Sequence, residues 1–249
     1  MLAIVSAMQE EIALVQQSLT QVSARTAAGR EFLTGRLHGR EVVAVFSHWG
    51  KVAAAATIAQ LLSSWKIEQL VFCGVAGGVR ADLGVGDIVV ASELIQHDMD
   101  ASPIFARYEV PLVGKALFSP DAGINARLQA AARDFVREDL GKAVNIHERA
   151  EFGIGEPRVV SGLIASGDKF FSNATDLGLL REQLPRTACV EMEGAAAAQV
   201  CEAFGVPYGV VRVISDGADD NAAHDFPRFV RNVARHYSAG LLARFVRAG

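Results

Sequence analysis

Apolar residues along the chain gather into short β-branched runs at 2–6, 41–47, 69–74, 87–92, 159–164, 188–191 and 208–214, and most are followed by a turn or helix signal. Between them apolar positions recur at helical spacing over 10–20, 52–64, 125–138 and 194–204, the last ended by Gly205 and Pro207. The closing segment repeats that spacing through Phe226, Phe229, Val230, Val233, Tyr237, Leu241, Leu242 and Phe245, with Asp225 as the candidate cap. Strands that alternate with helices and are nearly all apolar predict a sheet covered on both faces, hence a three-layer α/β sandwich. With no obvious linker, one domain is expected over 1–249. The polar stretch 141–157 lies outside these strands, contains His147-Glu-Arg and Gly153-Ile-Gly, and reads as a loop.

Composition narrows the class. Hydrophobic residues make up 51% of the chain and charged residues 21%, which suits a well-buried globular protein rather than a disordered one. The formal net charge of -4 argues against a nucleic-acid partner, which would call for a clustered basic surface, and favours small solutes. The N-terminus turns acidic at Glu10 without an early positive charge, unlike a secretory signal, and no uncharged apolar run reaches the roughly 18 residues of a membrane span. A cytoplasmic chain with no membrane partner is expected. Cys73, Cys189 and Cys201 lie in apolar surroundings without Cys-x-x-Cys spacing and read as buried free thiols.

Candidate chemistry sits at strand ends. Glu10 and Glu11 follow the first predicted strand, Glu191 and Glu193 end the sixth, and Asp216 follows the seventh. In doubly covered sheets ligands bind beyond the carboxyl ends of strands, and an unpaired buried carboxylate is costly, so three such positions together predict a polar site. The small residues of Gly74-Val-Ala-Gly-Gly78 permit close backbone approach, but they match neither the dinucleotide fingerprint nor the phosphate-binding loop. His97-Asp98-Met-Asp100 lacks a second group of ordered ligands and reads as structural or surface, so no metal is expected.

Taken in order, Ser6-Ala-Met-Gln-Glu-Glu11, Gly50-Lys-Val-Ala-Ala-Ala, Gly74-Val-Ala-Gly-Gly, Val85-Gly-Asp-Ile-Val-Val, Ser166-Gly-Asp-Lys-Phe-Phe, Val190-Glu-Met-Glu and Val213-Ile-Ser-Asp resemble the motifs of 5'-methylthioadenosine/S-adenosylhomocysteine nucleosidases in the nucleoside phosphorylase superfamily. The resemblance covers almost the whole chain. It implies a mixed central sheet, a homodimer, no cofactor, and hydrolysis of the N-glycosidic bond of a 5'-thio-substituted adenosine. It puts the general acid at Asp216 with Ser215 orienting it, the water-activating base at Glu11, and the ribose carboxylate at Glu193. Adenine would stack on Phe170 and meet the backbone of Phe171, Met192 would lie against the ribose, and Gly77, with Val75 and Ala76 beside it, would approach the ribose and water. Phe226 would close over the 5' substituent. Without the motifs, Phe170, Phe171 and Phe226 read as core aromatics.

Three departures bear on the substrate rather than the reaction. Val75 stands where the family has a serine, so a hydroxyl near the nucleophilic water is missing. His48 and Trp49 replace a glycine and a small aliphatic residue before Gly50, which would reshape the 5' pocket. The stretch 141–157 is longer than in typical members. Three alternatives stay open: a hydrolase of another 5'-modified nucleoside such as aminodeoxyfutalosine, a phosphorylase, and a non-catalytic nucleoside-binding protein. Glu10 and Glu11 argue against the phosphorylase, because carboxylates repel the phosphate it must bind.

Overall fold

The computed structural model describes residues 1–220 and 222–248. In chain order the strands are β1 (Leu2–Ser6), β2 (Thr20–Ala27), β3 (Arg30–Leu37), β4 (Arg40–Phe46), β5 (Gln69–Gly78), β6 (Ile88–Gln96), β7 (Leu117–Phe118), β8 (Val159–Ser166), β9 (Thr187–Glu191) and β10 (Tyr208–Asp216). The helices are α1 (Gln9–Gln17), α2 (Lys51–Ser64), α3 (Ala122–Asp134), α4 (Leu140–Ala143), α5 (Ile146–Glu151), α6 (Ala174–Gln183), α7 (Gly194–Phe204), α8 (Ala222–Phe229) and α9 (Arg235–Arg247). Single π-helical turns, Phe135–Asp139 and Val230–Ala234, join α3 to α4 and α8 to α9.

All strands join one mixed sheet, and side-chain alternation builds the layers. Leu2 and Ile4 of β1 face a core shared with α1, α3 and α9, whereas Ala3 and Val5 face a second core shared with α2 and α7. The same split holds for Val71 and Cys73 against Leu70 and Phe72 in β5, as the two-residue period of a strand requires. Apolar residues on both faces therefore produce the αβα sandwich. The three cysteines are buried and free. Among the described residues no helix is long and apolar enough to cross a membrane.

The sheet is also closed on itself at one end. β10 pairs with β5 in parallel and with β6 in antiparallel fashion, β6 with β8, β8 with β9, and β9 returns to β5 through Gly77–Val190 and Gly78–Cys189. Lower on β5, Gln69 to Phe72 pair with β1 instead. The change of neighbour from β1 to β9 leaves an opening beside β5 at its carboxyl end, the kind of switch point where ligands bind.

Several sequence expectations need correction. The helix expected over 10–20 stops at Gln17, and Thr20 starts β2, an edge strand exposed along nearly its whole length and therefore without an apolar alternation to announce it. Its partner β3 and the short α6, capped by Asn173, were also not anticipated. The stretch 141–157 is not simply a loop, since it carries the end of α4 and all of α5, capped by Asn145 and Glu148 in a reciprocal box. Asp225 lies inside the first turn of α8 rather than capping it.

Close packing of β8 on β9 supplies a stability test. A Cβ at Gly162 would sit 2.5 Å from that of Ala188, whereas one at Gly84 would meet nothing within 4 Å. Gly162→Ala should lower urea stability by about 1–3 kcal/mol. Gly84→Ala should stay within about 0.5 kcal/mol of the parent, so equal midpoints for the two would contradict the packing described.

Candidate active site

The opening beside β5 is filled from four directions by acidic and aromatic side chains. From β1 the chain turns at Ala7 and Met8 into α1, and Glu11 in its first turn points back. Its Oε2 accepts the N–H groups of Ala7 and Met8 at 3.0 Å each, and its Oε1 accepts that of Val75 at 2.9 Å. Glu11 is 1% exposed, so burial raises its pKa, opposed first by the Arg212 cation and then by the three N–H donors. Glycine at position 74 is required by this approach, because a Cβ there would lie 2.3 Å from Arg212 Nη1 and 2.8 Å from Glu11 Oε1.

β9 delivers Glu191 and Glu193, which differ in what they have left to offer. Both oxygens of Glu191 are engaged, by the Gly194 N–H, the Glu193 N–H, the Ser166 hydroxyl and Arg212. Glu191 thus satisfies the donors at the start of α7. Glu193 accepts one N–H, from Gly50 at 2.8 Å on Oε1, while its Oε2 lies 3.9 Å from Arg212 and remains available to the cleft. Burial, and then the neighbouring Glu191 charge, push the Glu193 carboxyl well above the usual carboxylate range.

β10 brings the counter-charge and the third carboxylate. Arg212 is fully buried, pairs with Glu191, and lies with its guanidinium 4.5 Å from the Phe72 ring centroid. Burial alone would lower its pKa, but Glu191, Glu193 and Glu11 outweigh that and keep it charged. Asp216 ends β10, its Oδ1 accepting the Ala218 N–H at 2.9 Å and its Oδ2 lying 2.7 Å from the donating Ser215 hydroxyl. Burial raises the Asp216 pKa against those two contacts. A Cβ at Gly77 would come within 3.1 Å of Asp216 Oδ1 and 2.8 Å of Ala218 Cβ, so the small residue keeps the strand clear of both.

Aromatic residues complete the walls. The loop after β8 presents Phe170, 38% exposed, and Phe171, which also belongs to a buried satellite cluster. Phe226 of α8 meets Phe170 at 5.4 Å and Trp49 at 5.8 Å between ring centroids, both edge to face. The structure brings every sequence-predicted site residue to one cleft of about 540 Å³, partly open to solvent: Glu11, Trp49, Val75, Ala76, Gly77, Phe170, Phe171, Met192, Glu193, Ser215, Asp216 and Phe226. An outer groove of about 1310 Å³ continues from it past Phe46, His48 and Arg231.

Glu10 does not join the inner cleft but lines this outer groove. Asp98 accepts from Lys51 Nζ at 2.5 Å and from the Asp168 N–H at 2.9 Å, tying the start of α2 to the loop that carries Phe170. His97 packs edge-on to Phe171 at 5.3 Å. Among the described residues no group of three or more His, Cys, Asp or Glu is arranged to hold a metal ion. Sequence reasoning missed Arg212 and the engaged state of Glu191. An arginine within the otherwise apolar run Val210-Val-Arg-Val-Ile214 was the available signal, since a charge in a doubly covered strand must have a partner.

Comparisons with known proteins follow the same outline. The model of the family described as "Phosphorylase superfamily" matches residues 1–247. The chain is 34% identical over 244 residues, 97% of each chain, to 5'-methylthioadenosine/S-adenosylhomocysteine nucleosidase of Shewanella pealeana. It superposes with a TM-score of 0.87 and 30% identity, over 100% of this chain and 99% of the other, on the nucleosidase of that name from Neisseria meningitidis in complex with methylthio-immucillin-A. Futalosine hydrolase of Helicobacter pylori gives a TM-score of 0.84 at 29% identity, over 100% and 97% of the two chains.

Burial sets the sign of a pH effect on stability. Glu11, Glu193 and Asp216 all have raised folded-state pKa values. The stability they contribute is fully present below their unfolded values and is lost as pH rises through the folded ones. Arg212→Met, which leaves those carboxylates without a cation, should cost about 3–5 kcal/mol in urea unfolding. The deficit should be larger at about pH 8 than at about pH 5, and a deficit that shrinks with rising pH would contradict the assignment.

Proposed function

The chain belongs to the phosphorylase superfamily, and we propose that it cleaves the N-glycosidic bond of 5'-methylthioadenosine or S-adenosylhomocysteine with water. The observation that carries this reading is the set of four buried carboxylates in one cleft, of which Glu191 is committed on both oxygens while Glu11, Glu193 and Asp216 each have a different set of partners. Such a division suits a reaction that needs an acid, a base and a carboxyl that ionises as positive charge develops beside it.

In this mechanism Asp216, whose carboxyl burial shifts toward the protonated form, donates its proton to N7 of adenine as the bond from C1' to N9 breaks and its electron pair passes to the base. Phe170 stacks on the base, and the backbone of Phe171 meets its edge. The ribosyl group becomes cation-like, which favours the ionised form of Glu193, and its uncommitted Oε2 accepts hydrogen bonds from the ribose hydroxyls and stabilises the positive charge. Water adds to C1' and gives its proton to Glu11, whose ionised form, disfavoured by burial, is supported by Arg212 and three N–H donors. Met192 packs against the ribose, and Trp49 and Phe226 cover the 5' end. With Val75 in place of a hydroxyl-bearing residue, Glu11 is the polar group that holds the water, and Arg212 behind it supplies only its field. The products are adenine and the 5-thio-substituted ribose.

A phosphorylase reading is weaker on charge. Lys169 is the one basic side chain lining the inner cleft among the described residues, and it pairs with Asp176 at 2.7 Å. A second hydrolase reading, for a larger 5'-modified nucleoside, is favoured by the aromatic outer groove at His48 and Trp49 and by the likeness to futalosine hydrolase. The same proposal has the chain act in the cytoplasm as a homodimer on a small-molecule nucleoside, without nucleic acid or membrane.

Adenine release from methylthioadenosine, S-adenosylhomocysteine and aminodeoxyfutalosine should proceed without phosphate. Asp216→Asn and Glu11→Gln should each lower kcat by roughly 10²- to 10⁴-fold. An Asp216→Asn protein with full turnover contradicts the mechanism, and strict dependence on phosphate replaces it with phosphorolysis. Sedimentation of the same sample as a fully active monomer would overturn the dimer.

A further inference from the structure

Residues 141–157 have a defined shape and a defined root. The Asn145 side chain accepts the Glu148 N–H at 2.9 Å and so starts α5, while behind that helix the Ile154 N–H reaches the Arg149 carbonyl at 2.8 Å and Arg149 Nη2 donates to the Gly155 carbonyl at 2.8 Å. Ile154 is 5% exposed and lies against Gly86, with its Cγ2 3.0 Å from where a Cβ on that glycine would stand.

What this segment presents outward is directed at α8. Glu151 pairs with Arg228, whose guanidinium also lies 5.7 Å from the Phe152 ring centroid, and Phe152 meets Phe229 edge to face at 5.5 Å. Arg228 stands two positions beyond Phe226, and a spacing of two on a helix sends side chains to nearly opposite sides. A pull on Arg228 from behind therefore sets the place of Phe226 in front, against Trp49 and Phe170. Helix α8 is poorly equipped to fix its own position: Pro227 removes one backbone donor, and the helix runs into the π turn Val230–Ala234. Tertiary contacts must supply what its own hydrogen bonds do not.

We infer that the segment 145–154 is a brace for α8, and that Glu151 and Arg228 are positioning residues that set how closely Phe226 covers the outer end of the cleft and hence which 5' substituents are accepted. The selectivity half of this inference rests on the nucleoside reading above. The mechanical half rests on the contacts alone.

The test uses the full chain as Glu151→Gln, Arg228→Gln and the exchanged pair Glu151→Arg with Arg228→Glu, each also in a Trp65→Phe background that leaves Trp49 as the sole indole. Each single variant should raise KM for S-adenosylhomocysteine about two- to fivefold, as the loss of an exposed ion pair permits, and less for methylthioadenosine. Turnover at saturation should stay within about twofold, because the lost contact is made equally in the bound and transition states. Trp49 emission of the ligand-free protein should shift in both single variants, since the Phe226 ring abuts the indole. The exchanged pair should return both readings toward the parent. Single variants with the parent's KM ratio and unshifted emission overturn the brace, as does an exchanged pair no better than the singles. If the parent releases base from neither nucleoside, the proposed function fails and the selectivity half falls with it, while Trp49 emission still decides the mechanical half.

Discussion

One buried cation organises this protein's chemistry. Arg212 lies at the centre of β10 with no exposure to water, and an isolated guanidinium there would be far too costly to keep. Glu191 pairs with it directly, Glu193 stands at 3.9 Å, and Glu11 adds its field from across β5. The dependence is mutual: three carboxylates within one apolar interior can be held only because a positive charge is fixed among them. Removing one member of such a set strands the others, which is why its geometry is hard to vary piecemeal.

The sheet determines where that set can stand. β5 pairs with β1 at its beginning and with β9 at its end, and the opening between them admits Glu11 from one side and Glu193 from the other. The Val75 N–H, at this point on β5, donates to Glu11. A backbone donor next to the switch in sheet pairing has thus become part of the site. Because Glu191 is engaged on both oxygens while Glu193 keeps one available, two glutamates two residues apart stand differently: one secures the start of α7, the other keeps an oxygen free in the cleft.

Much of this was legible before the structure. The apolar strands announced the sandwich, and the acids at their ends announced the cleft. The residues named through the family motifs all line it, with Phe171 serving both as core and as wall, so that the reading of it as a core aromatic and the reading of it as a site residue describe one side chain. What stayed hidden did so for physical reasons. β2 is exposed along most of its length and carries no alternation. The closure of β10 and β9 onto β5 is a long-range pairing that no local pattern encodes. The segment 141–157 looks like a loop because α5 has no fully buried residue, and its attachment to α8 depends on the pairing of Glu151 with Arg228 and on aromatic contacts across distant parts of the chain.

The central claim is that this arrangement of carboxylates directs water, and not another nucleophile, to the anomeric carbon. It is tested most directly by running the reaction in water enriched in oxygen-18 with phosphate present and weighing the sugar product by mass spectrometry. The account predicts a free sugar that carries one heavy oxygen at C1 and no phosphate. A sugar phosphate, or a free sugar with no label at C1 when collected faster than its anomeric oxygen exchanges, would contradict it.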